Sequence, residues 1–186
     1  MTAAAASELF DSEYHAELLR NLPQITREAN IPERVVYTPM QEHCGAQAVD
    51  FMRHLKQHSE NGMYGLVFHG LQHGVPIQEK MMLMAGAALR NYVHAKVQTL
   101  QDVLQDVKAG NFPTATLLLI PNFSIAKDEG GHVADWDLSN LVALLIKRQL
   151  EGKQTVVYVN NFQDLEADYG SVVSNHIREN FKKVAA

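Results

Sequence analysis

The residues able to do chemistry fall in a few small groups. His54 and His58 stand four apart, as a helix would need to share a metal between two imidazoles, and His43 lies a little upstream. No H-E-x-x-H pattern and no carboxylate partner accompanies them, so they read as solvated histidines on a polar face. His69 and His73 flank the glycine-bearing segment Gly70–Gly74 and would bind an anion when protonated, or else fill the space an anion would take. Asp135 and Asp137 bracket Trp136 just ahead of an apolar-periodic run, where Asp137 reads as a helix N-cap. Cys44 is the single cysteine, which excludes an intramolecular disulfide, fits a reducing compartment and reads as a packed or surface thiol. The sequence contains no G-x-S-x-G, no Cys-x-x-Cys and no credible Ser/His/Asp set.

The elements that would position these residues alternate. Gly65–His69 (GLVFH) reads as a buried strand, Gln78–Tyr92 as a Met- and Ala-rich helix and Lys96–Thr99 as a short strand. Leu100–Lys108 reads as a helix, Thr114–Ile120 as a strongly apolar strand, and Asp137–Leu150 as a helix closed by Glu151-Gly152. Gln154–Val159 is a β-branched strand, and Leu165–Asp168 and Ser171–Lys182 read as short helices. Ahead of this series, Ser7–Asn21 has apolar residues at helical spacing and is ended by Pro23. Ile25–Pro39 reads as an irregular connector and Gln41–Ser59 as a second helix broken at Asn61-Gly62. Met81, Met82 and Met84 are expected to pack on the sheet, Lys80 to be a surface lysine, and the polar segment Lys127–His132 to be a loop suited to a partner contact. Strands alternating with helices imply a parallel sheet covered on both faces.

Length and composition agree with one globular domain. The chain has 186 residues, 46% apolar and 20% charged, with a formal net charge of -5. That charge weakens any reading as a DNA-binding protein, although Arg178, Lys182 and Lys183 form a local basic group. No stretch approaches the roughly 20 apolar residues needed to cross a bilayer, and Met1–Ser7 is an Ala-rich lead-in without the pattern of a secretory signal.

The segment GLVFHGLQHGVPIQEKMMLMAGAAL (Gly65–Leu89) resembles the Walker A region of the DnaC/IstB-like AAA+ ATPases, a P-loop family of helicase loaders and transposition helpers. NIPERVVYTPM (Asn30–Met40) resembles the entry to that ATPase core, and AKVQTLQDVLQDVKAG (Ala95–Gly110) its second strand and helix. ATLLLIPNFS (Ala115–Ser124) sits where the Walker B strand belongs, and DWDLSNLVALLIKRQLEGKQTVVYVNN (Asp135–Asn161) resembles the helix and sensor-1 strand. The resemblance implies an α/β fold: a three-layer parallel sheet of P-loop NTPase (AAA+/RecA-like) type, with residues 1–29 a helical extension and residues 30–186 the core.

The departures bear on function. In the frame G-x-x-x-x-G-K-[ST], Gly70 keeps the first glycine and Gly74 lies within the loop. Val75 replaces the second glycine, Pro76 the lysine that contacts the terminal phosphates, and Ile77 the hydroxyl that holds magnesium. In the Walker B position Leu117–Ile120 supply the apolar run, but Pro121 and Asn122 stand where acids should be. Asn160 matches the sensor-1 asparagine, and Ser174-Asn175 occupies the place of a serine-arginine finger. The resemblance therefore implies a degenerate member with no catalytic residues, no cofactor and no metal.

Such a chain is expected to be a cytoplasmic, non-catalytic interaction module, a monomer or dimer, that binds a helicase, a loader or another AAA+ subunit in DNA replication or mobile-element biology. Direct nucleic-acid binding is expected to be weak. The alternative is a small-molecule-binding or enzymatic α/β domain using the cleft at the strand C-termini, with His69, His73, Asn122 and Asn160 as liners.

Overall fold

The apolar runs at 65–69, 117–120 and 154–159 form the middle of one sheet. The computed structural model describes residues 9–11, 13–72, 74–125 and 133–186. Among these residues five strands, β1 (Gly65–His69), β2 (Ala95–Val97), β3 (Leu117–Ile120), β4 (Gln154–Val159) and β5 (Phe181–Ala185), lie in the order β2-β3-β4-β1-β5. Every pairing is parallel, with Leu66 opposite Val156 on one side and Lys182 on the other.

Side chains alternate across a strand, so each strand feeds two cores. Leu66, Phe68, Leu117, Leu119, Val156 and Tyr158 face one side; Val67, Leu118, Ile120, Val157 and Val159 face the other. Both sets are buried, which is why these strands are apolar throughout rather than alternating. The first face is covered by helix α5 (Ile77–Arg90). The second is covered by α6 (Leu100–Lys108), α7 (Asp135–Leu150) and α8 (Leu165–Asn180). Met81 and Met84 are fully buried against the first face, as their place on the helix predicts.

Helix α5 is buried along nearly its whole length because a further layer lies over it. That layer comprises α1 (Ala16–Arg20), α2 (Leu22–Glu28), a 3-10 turn at Glu33–Tyr37, α3 (Ala46–Arg53) and α4 (Leu55–Glu60). Leu18, Leu22, Ala29, Val35 and Val36 share one core with α5 and the sheet. The helix comes so close to the 3-10 turn that a Cβ on Gly86 would lie 2.6 Å from the Val35 carbonyl oxygen.

Arg148 stitches the far side. It is 2% exposed, its Nε donates to Thr155 Oγ1 at 2.8 Å, and its guanidinium also donates to the carbonyls of Ala115 at 3.0 Å and Gln154 at 2.6 Å. Burial lowers its pKa to about 10, which still leaves it charged at neutral pH.

Several boundaries differ from the sequence expectations. The expected helix 7–21 begins in part outside the described residues; its described portion holds only the short α1, and Pro23 opens α2 rather than ending a helix. Proline is tolerated in a first turn, where its missing N–H would have no partner. The connector 25–39 is accordingly not irregular throughout. The expected helix 41–59 is split at His54, whose backbone (φ -118°, ψ 25°) ends α3 and precedes α4. The strand expected from Thr114 starts at Leu117. Asp137 is not the N-cap of α7: Ala134 is, and Asp135 and Asp137 both lie in the first turn, with Asp137 paired to Lys108 at 2.9 Å.

The largest difference is at the end of the chain. The two short helices form α8, bent at Gly170 (φ 74°, ψ 173°), and the helical reading to Lys182 is wrong because Phe181–Ala185 is β5. Lysines on an edge strand break the apolar run by which a strand is recognised. Among the described residues no helix is long and apolar enough to cross a membrane.

Candidate functional site

The C-terminal ends of β1, β3 and β4 converge, and the segment after β1 opens α5 there. Gly70 (φ 90°) and Gly74 (φ 73°) have left-handed backbones and open space where a Cβ would sit, so conformation rather than room calls for glycine at both. Leu71, between them, is 81% exposed. Val75 is half-buried and Pro76, exposed, is the N-cap of α5 with an extended backbone. Ile77, the first residue of the helix, is buried. One N–H of the helix N-terminus is taken: that of Ile77 donates to Gln72 Oε1 at 3.1 Å. His73 lies outside the described residues.

The turn is tied to β4. The Gly70 N–H donates to the Asn160 carbonyl at 3.2 Å. The Tyr158 hydroxyl lies 3.0 Å from the Gly70 carbonyl and 2.8 Å from Asn160 Oδ1, so its one proton is shared between them. Asn160, matched to sensor 1 in the sequence, is thus brought against the glycine turn. His69 sits edge-on to the Phe162 ring, with centroids 5.8 Å apart.

Pro121 and Asn122 leave the end of β3, and the next residue turns back: the Phe123 N–H donates to the Tyr158 carbonyl at 3.0 Å. The Phe123 carbonyl accepts from the Tyr169 hydroxyl at 2.6 Å, and burial pushes that phenol's pKa well up. Asn122, Ser124, Tyr158, Asn160, Asp164 and Asp168 line a shallow cleft of about 130 Å³. Its lining offers amides, hydroxyls and two carboxylates. Asp164 and Asp168 were not singled out by the sequence, since nothing local marks a helical carboxylate as facing a cleft. Gln72 and Tyr158 were also missed, because their roles depend on contacts across the fold.

The other candidate residues lie apart from this cleft. His54 and His58 meet edge to face, with centroids 6.4 Å apart, and His58 stacks on Phe51; contrary to the expectation of no carboxylate partner, His54 Nδ1 is 3.1 Å from Asp50 Oδ1, one helical turn before it. His58 is not the solvated side chain expected: its Nε2 is buried without a hydrogen-bond partner among the described residues. Among those residues no group of three or more His, Cys, Asp or Glu side chains could hold a metal. Cys44 is packed, and burial pushes its thiol up to about 11. Lys80 is half-buried. Of the basic group near the end, Arg178 pairs with Glu166 at 3.2 Å and Lys182 with Asp50 at 2.8 Å, while Lys183 sits over the Phe162 ring. Ser174 is fully buried inside α8. The segment Lys127–His132 lies outside the described residues.

No family model and no curated protein sequence matches the chain. Solved structures do match. The DnaC helicase loader aligns with a TM-score of 0.58 at 15% identity, over 83% of this chain and 99% of that one. DnaI aligns with a TM-score of 0.59 at 14% identity, over 83% of this chain and 94% of that one. AMPPCP-bound DnaA from Aquifex aeolicus aligns with a TM-score of 0.54 at 13% identity, over 78% of this chain but only 48% of that one. At such identities the likeness speaks for architecture alone, and with the all-parallel sheet and the glycine turn between β1 and α5 it gives this chain the α/β fold of the P-loop NTPases.

Proposed function

We propose that this chain is a non-catalytic P-loop-type interaction module that binds a protein partner: a replicative helicase, a helicase loader or another AAA+ subunit in DNA replication or mobile-element machinery. Residues 30–186 form its core and residues 1–29 a helical extension. The observation that carries the reading is the head of α5. A helix N-terminus holds phosphate through free backbone N–H groups and its positive dipole. Here Pro76 has no N–H to give, and the N–H of Ile77 is taken by the Gln72 side chain. The lysine and hydroxyl of a working loop are replaced by Pro76 and Ile77, and the Walker B acids by Pro121 and Asn122. Asn160, the sensor-1 match in this reading, is held against the turn by the Tyr158 hydroxyl. The likeness to the DnaC helicase loader and DnaI supports the replication context.

In this reading the module is cytoplasmic, works as a monomer or dimer without nucleotide, and contacts DNA weakly because of its net charge of -5. Isothermal titration with ATP and magnesium tests it: no saturable heat is expected. Micromolar binding, or turnover abolished by a substitution at Gly74, would sink it. The alternative, a small-molecule site at the strand C-termini, is disfavoured by the size of the cleft. Its volume of about 130 Å³ is well below the roughly 300–1,000 Å³ of ordinary ligand sites.

A further inference from the structure

On the far side of α5 from the sheet, an open groove of about 630 Å³ runs between the N-terminal turn, the ends of α3 and α4, and the last turn of α5. Its walls mix apolar side chains, Met40, Met52 and Leu55 among them, with polar ones such as Gln41 and Asn91, and its charged groups are Arg53, Lys56 and Arg90. No Asp or Glu is among its described lining residues. Methionine-bearing walls adapt to varied apolar side chains.

Arg90 makes the groove more than an apolar dent. It is 7% exposed, and it is held through Nη1 alone, which donates to the Val36 and Thr38 carbonyls. No carboxylate is bonded to it among the described residues, and burial lowers its pKa. Among the described residues its Nε and Nη2 make no hydrogen bond. On the rim, Arg53 is exposed with no ion pair among the described residues. Lys56 reaches Glu60 only at 3.9 Å, with its side chain 91% exposed, a contact that water screens. Two exposed cations above a buried one, beside apolar side chains, suit an amphipathic peptide helix with acidic residues flanking its apolar face. The apolar positions would lie on Met40, Met52 and Leu55, and a carboxylate would meet the arginines in charge-assisted hydrogen bonds.

We infer that this groove is a docking site for an acidic, amphipathic helical segment of a partner protein. The inference does not depend on whether the turn at 70–76 binds nucleotide. The test uses the full chain and two fluorescein-labelled synthetic helical peptides of about four turns. One carries Leu along one face flanked by Glu; its twin carries Lys in place of every Glu. Fluorescence anisotropy is expected to show the Glu peptide binding at least about tenfold tighter than its twin, with the preference falling as salt is raised. R53E/K56E, both on exposed positions, should remove that preference. Amide shifts in the unmutated chain, read by NMR, should centre on residues 52–56 and 88–93. Equal affinity for the two peptides, no binding by the full chain, indifference to R53E/K56E, or shifts centred on α7 and α8 would each overturn the assignment. So would self-association abolished by R53E/K56E, which would give the groove to a second copy of the chain.

Discussion

Gly86 decides where α5 lies, and Gly86→Ala puts two opposing effects in competition. In a free helix alanine is worth about 1 kcal/mol more than glycine. In this helix the added Cβ would stand 2.6 Å from the Val35 carbonyl oxygen and 2.9 Å from its carbon. The first separation is about 0.8 Å short of the 3.4 Å at which ordinary contact begins. Neither atom is the tip of a flexible side chain. Val35 and Val36 are fully buried, and one turn further along α5 Arg90 grips the carbonyls of Val36 and Thr38. The turn at 33–37 therefore cannot give way cheaply. Overpacking costs about 1–3 kcal/mol, and a clash against fixed backbone belongs at the upper end. The steric cost wins, and a net loss of about 2 kcal/mol is expected, which for a chain of this size lowers Tm by about 4–8 °C. Thermal unfolding followed by far-UV circular dichroism measures it. An unchanged or raised Tm would mean that α5 clears the turn, and would refute the close approach on which the placement of the helix rests.

Arg148→Met should cost about 3 kcal/mol in urea unfolding: the carbonyls of Ala115 and Gln154 lose their donor inside the fold, each worth about 1–3 kcal/mol, less the relief of not burying a guanidinium. Tyr169→Phe should cost about 1–2 kcal/mol by leaving the Phe123 carbonyl unpaired, again read from the urea midpoint. Burial lowers the pKa of both His58 and His176. The unfolded chain, titrating near 6.5, therefore takes up protons that the fold resists. Stability should be full above about pH 6.5 and fall as the pH drops through that value toward the depressed folded pKa values. His176→Gln should flatten the change in urea midpoint between pH 7.5 and 5.5. Asp50 and Glu151, whose carboxyls are held low chiefly by hydrogen bonds from Lys182 and Lys153, should add their losses only at more acid pH.

The sequence by itself determined the alternation of strands and helices, the extents of β1, β4 and α6, the sheathing of the sheet on both faces, and the glycine turn at 70–74. Each of these rests on local pattern: an apolar run too short for a helix, a 3.6-residue period, or a glycine where the backbone turns left-handed. It also fixed the side chains that follow the turn, since Val75, Pro76 and Ile77 are what they are in any fold. The tertiary structure decided the rest. β5 exists because Phe181 and Val184 pack while its backbone pairs with β1, a partner more than a hundred residues away. His54 interrupts a helix whose apolar spacing runs straight past it. Gln72 caps α5 and Tyr158 holds Gly70 and Asn160 together, roles that neither residue type announces. Arg90 and Arg148, which composition would leave on the surface, are buried because carbonyls from distant segments converge on them. Local patterns are fixed by neighbours in the chain; hydrogen bonds and burial between distant segments exist only once the chain has closed on itself.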